Sequence, residues 1–88
     1  MLKSRHYVKG DWPRFAVMYC LKERLRSYLL KHEKMPPYLY ASSNMGNLFP
    51  YDLCSFAIKH KMIIKFIPRK DYEDPWFCFG TEEDGYVL

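Results

Sequence analysis

The chain has no C-x-x-C pair, no H-x-x-x-H pair and no glycine-rich phosphate loop. Zinc sites need clustered Cys, His or carboxylate ligands, and phosphate loops need glycines that let backbone N–H groups approach the anion. Neither a metal nor another cofactor is therefore expected. The four glycines are dispersed and read as punctuation. Cys20, Cys54 and Cys78 are odd in number, widely spaced and set among apolar neighbours, which fits reduced, buried thiols better than a disulfide framework. Nothing in the chain proposes a nucleophile with a base beside it, so a non-enzymatic protein is the expectation. No uncharged run reaches membrane length, and no apolar stretch of the signal-peptide kind follows the basic segment Met1–His6. No membrane contact and a cytoplasmic location are expected.

Cations are missing from one end. Residues 1–35 carry nine Lys and Arg against three Asp and Glu, residues 36–70 carry five against one, and residues 71–88 carry none against six. The net charge of +4 thus hides a basic body and an acidic tail. A basic body favours polyanions through phosphate attraction and counterion release, and the tail works against it or competes for the same surface. Aromatic residues, by contrast, are plentiful: six Phe, eight Tyr and two Trp in 88 residues. A chain of this size buries only about 60–65% of its unfolded surface, so large side chains must make up a small core, and enough aromatic area remains for an exposed patch.

In chain order, residues 2–8 form either a short strand or a basic arm, and Lys9-Gly10-Asp11 makes a turn. Asp11-Trp12-Pro13 reads as a helix start, with Asp11 as capping carboxylate and proline in the first turn. A helix is expected from about Pro13 to Lys34. Phe15, Met18, Leu21, Leu25, Tyr28, Leu29 and His32 share one arc, and Glu23, Arg24, Arg26, Ser27, Lys31 and Lys34 lie outside it. Its first half, Phe15–Leu21, is apolar all round and should sit between layers or at an interface with another chain. Pro36-Pro37 ends the helix. A second, short helix is expected over residues 37–44, followed by a turn to Asn47.

A third helix starts between Asn47 and Phe49, with Pro50 in its first turn. Phe49, Leu53, Phe56, Ala57 and His60 face the core, and Tyr51, Asp52, Ser55 and Lys59 face out. The run Met62–Ile67 switches to strand chemistry, Pro68–Pro75 is a polar loop, and Trp76–Gly80 returns as a second strand. Helix, short helix, turn, helix, strand, loop, strand is the element order of a winged helix-turn-helix domain, and the chain resembles that family over roughly Pro13 to Gly80. The resemblance implies an α+β fold of about three helices and a C-terminal β-hairpin wing. The whole chain is then one domain: an arm or strand over 1–10, a core over 11–80 and an acidic tail over 81–88. In that family the third helix enters the major groove and the wing touches the DNA backbone or the minor groove. By position, Tyr51, Ser55 and Lys59 would read DNA, and Arg69 and Lys70 of the wing would meet phosphate.

Two functional classes follow. One is a transcriptional regulator bound to double-stranded DNA as a homodimer, with Arg24, Lys31 and Lys34 adding phosphate contacts to Tyr51, Ser55, Lys59, Arg69 and Lys70. Against it stand Asp52 on the reading helix and the carboxylates beside the wing. The other is a protein-binding inhibitor or accessory factor, of the kind encoded by viruses and mobile elements, that acts on a host enzyme or complex. It would use the exposed aromatics Tyr72, Trp76 and Tyr86 with the acidic residues Glu82, Glu83 and Asp84.

Overall fold

The computed structural model describes residues 5–68 and 73–86, the last two by their backbone alone. The elements are β1 (His6–Tyr7), α1 (Arg14–His32), β2 (Tyr38–Ser42), α2 (Ser43–Leu48), α3 (Pro50–Lys59), β3 (Ile63–Ile67), β4 (Trp76–Gly80) and a 3-10 turn (Glu83–Tyr86). The strands form one sheet in the order β1-β4-β2-β3. Here β4 runs antiparallel to both β1 and β2, and β2 runs parallel to β3, with Tyr38 opposite Ile63 and Ser42 opposite Ile67. The chain is α+β, as expected. The C-terminal hairpin does not form, because β2 lies between β3 and β4.

That correction traces to residues 37–44, expected as a helix. Tyr38-Leu39-Tyr40-Ala41 alternates instead: Leu39 and Ala41 enter the core beneath the helices, while Tyr38 and Tyr40 stack on the opposite face with ring centroids 5.7 Å apart. Aromatic side chains suit a pleated surface, and a two-residue period puts successive side chains on opposite faces. The strand ends where Ser42 caps α2, its hydroxyl accepting the Met45 N–H at 3.4 Å. Ser42 also accepts the Trp76 N–H at 3.1 Å, tying the start of β4 to the end of β2. Residues 2–8, open between strand and arm, give a strand at His6–Tyr7.

The core lies between one face of the sheet and the pair α1 and α3. Val17, Leu21 and Leu25 of α1 and Leu53, Phe56 and Ala57 of α3 meet Leu39, Ala41, Phe77 and Phe79. Each fully buried Leu or Phe stabilises the fold by about 1.5–3 kcal/mol through apolar burial. As a central strand, β4 is buried on both faces, which its unbroken run Trp76-Phe77-Cys78-Phe79 satisfies. At its end Gly80 is required, because the Asp84 carboxylate occupies the space where a Cβ would stand.

The helix ends show which local signals act. Asp11 does not cap α1: Pro13 is the N-cap residue, without a side-chain hydrogen bond. Glu33 closes the helix in the left-handed region at φ 59°, its N–H donating to the Leu29 carbonyl. α3 begins with Pro50 in its first turn, as expected, but Asp52 points inward. Its carboxylate accepts from Arg14 of α1, with Nη2 at 3.1 Å and Nε at 3.3 Å, joining the starts of the two helices.

Candidate interaction surface

Helix α1 turns its apolar surface two ways. Core packing takes Val17, Leu21 and Leu25, and Phe15, expected on the same arc, faces out and is 77% exposed. Tyr19 is 66% exposed. With Trp12, Ala16 and Cys20 these residues line an open groove of about 610 Å³ along α1, bounded at the far end by Glu23 and Arg24. Large aromatics bury 150–250 Å² each when covered, roughly, and an apolar strip rimmed by charge is the anatomy of a protein-binding surface. The signal was legible as a segment apolar all round; which residues would be left outside was not.

Arg24 stands at the rim beside β1. Its charge, after burial, is the second cause that pushes the His6 pKa down to about 4, so His6 is neutral at neutral pH. Lys31 and Lys34 are exposed at the end of α1 and just beyond it. Tyr51, Ser55 and Lys59 are all exposed on α3, as expected for its outward face. That face also carries Ile58, 77% exposed, and Cys54, which is exposed rather than buried. α3 meets α1 on the Arg14 side, and the charge of Arg24 is felt at His6 of β1. Asp52, the carboxylate expected to oppose DNA, is consumed by Arg14, whose pKa it raises through a hydrogen bond and its charge. His60 leans on Phe56, and burial followed by the Lys59 charge lowers its pKa.

The second face of the sheet alters the other expected site. Trp76 is 1% exposed and packs with Tyr40 and Cys78, so it offers no surface to a partner. Arg5 lies 4.4 Å over the Trp76 ring and pairs with Glu73, which removes it from the cations that an N-terminal arm would have offered to phosphate. Tyr40 donates to the Thr81 carbonyl at 2.6 Å, and Tyr38 donates to Glu82 at 3.2 Å. Glu82 and Glu83 are exposed, whereas Asp84 is half-buried and accepts the Thr81 N–H at 2.7 Å. Asp84 is also the second cause, after burial, of a raised Tyr28 pKa, which places the acidic turn near the end of α1. Arg69, Lys70 and Tyr72, and the side chain of Tyr86, lie outside the described residues.

Among the described residues no three His, Cys, Asp or Glu side chains group as metal ligands, and no helix is long and apolar enough to cross a membrane. Comparison with known protein families, curated proteins and solved structures returns no match.

Proposed function

We propose that this chain is a protein-binding accessory or inhibitory module that docks on its partner through the outer face of α1. The observation that carries the reading is the exposure of Phe15 and Tyr19 on one groove, rimmed by Glu23 and Arg24. Aromatic anchors at the centre and charge at the edge are the pattern in which a few residues supply most of the binding energy. The outward face of α3 adds to it, since Tyr51 and Ile58 outweigh the lone cation Lys59 there and suit a protein better than a DNA groove.

The test compares the wild-type chain with a Phe15→Glu/Tyr19→Glu variant in capture from host lysate, followed by reconstitution with the purified partner. We expect a defined partner whose affinity drops at least tenfold in the variant while its thermal midpoint is unchanged. Equal affinity of the two proteins would sink the reading.

One observation favours DNA as a second reading: Lys22, Arg24, Arg26, Lys31 and Lys34 are all exposed and form no ion pair among the described residues. In that reading helix α1 supplies most of the phosphate contacts, and the winged-helix likeness contributes only the α2–α3 pair. Binding to mixed-sequence duplex should then weaken steeply with salt.

A further inference from the structure

We propose that strand β3 is a self-association edge, across which a second copy of this chain adds its own β3 antiparallel to give a continuous sheet. Among the described residues β3 is an outer strand whose only partner is β2. Ile63 donates its N–H to the Pro37 carbonyl at 2.9 Å, which fixes the phase of the ladder: Ile63, Lys65 and Ile67 turn their backbone groups towards β2. The N–H and C=O groups of Ile64 and Phe66 therefore point away from the sheet, and among the described residues neither makes a bond on that side. Water can solvate four outward groups in one row, but the protein element that pairs all of them together is another extended strand, for which an open edge is a template. Among the described residues the opposite edge, β1, is two residues long and offers no comparable row.

The row is self-complementary. A two-fold axis through Lys65 sets Ile64 opposite the second copy's Phe66 and Phe66 opposite the second copy's Ile64, so that all four groups on each chain are paired. Shifting by two residues in one direction brings in Met62, whose N–H already donates to the Ala57 carbonyl at 2.8 Å. A shift in the other direction brings in Pro68, which has no N–H. The centred register is thus the one that leaves nothing unpaired. It also covers apolar surface, because Ile63 is 57% exposed and Phe66 is 48% exposed, on opposite faces of the strand. Ile63 then faces the second copy's Ile67.

Lys65 faces its own counterpart at the axis. Like charges directly opposite weaken a strand pair, and a lysine in an edge strand ordinarily discourages pairing. Here the Lys65 ammonium is drawn 4.9 Å over the Tyr38 ring of its own chain, towards β2 and away from the axis. The pairing is consequently weak, as suits so small a contact, and is strengthened by screening.

The test is sedimentation of the full-length chain over a concentration series reaching the millimolar range, at low and moderate salt. Reversible dimerisation that tightens with salt is expected. Lys65→Thr should tighten it roughly threefold, and Ile63→Lys should weaken it about tenfold. In a Cys20→Ser/Cys54→Ser background, Lys65→Cys with oxidised glutathione should give a disulfide-linked dimer, two protein thiols being oxidised as the glutathione disulfide is reduced. The unbonded position at the axis brings the two Cα atoms to about 4.5 Å, within disulfide range. Ile63→Cys, which faces Ile67, should not cross-link. A chain that stays monomeric throughout, or an Ile63→Cys variant that cross-links as readily as Lys65→Cys, overturns the proposal. Neither result bears on the groove of α1, which lies on another element.

Discussion

Ser42 carries more of this structure than its size suggests. It is buried, it caps α2 through Met45, and it accepts the N–H of Trp76 from the neighbouring strand. Ser42→Ala removes one of the two acceptors of the Met45 N–H, the other being Asn44 Oδ1, and takes the hydroxyl acceptor from the buried Trp76 N–H, so it should destabilise the fold by about 1–3 kcal/mol, read as a lower denaturant midpoint at constant m-value. The sequence shows Ser42-Ser43-Asn44 only as turn chemistry; that one hydroxyl would serve two elements depends on a strand that arrives 34 residues later. Asp52 makes the same point. A carboxylate in the first turn of a helix reads as an exposed partner of the helix dipole, and only the packing of α1 against that helix start brings Arg14 to it.

Among the elements, α1 was legible in its length and in its stop. Its periodicity, the Pro36-Pro37 break and the absence of internal glycine or proline are local properties, and they place it within two residues at each end. The stop is imperfect chemistry: Glu33 occupies a left-handed conformation that disfavours a Cβ. Glu33→Gly should stabilise the protein by about 0.5–1 kcal/mol, the relief of that conformation outweighing the added freedom of the unfolded chain, measurable by the same denaturant titration. β2 was not legible. Five half-apolar residues after a double proline fit a short helix as well as a strand by local signals, and the difference is made by β3 and β4, which offer hydrogen bonds on both sides. Losing β2 from the reading also created the hairpin, since two strands joined by a polar loop are paired by default when nothing is known to lie between them.

At the scale of the whole molecule, burial of His6 links stability to pH. Its pKa of about 4 in the folded chain lies below the ordinary value of 6.5, so the unfolded chain takes up the proton first as pH falls. Stability from this group is complete above pH 6.5 and is lost between 6.5 and 4. His60, lowered in the same direction, adds to the loss. The thermal midpoint should fall through this window, and His6→Gln should flatten the slope; an unchanged slope would remove His6 as the cause. Composition, charge asymmetry, the two long helices and the strands after residue 62 were determined by the sequence itself, because periodicity and propensity act over neighbouring residues. Tertiary structure alone decided that β2 divides the expected wing, that Trp76 is core, that Phe15 and Tyr19 are surface, and that β3 is an open edge among the described residues. Each of these depends on which faces meet across the chain, and a segment apolar on every side carries no local record of the side that its neighbours will cover.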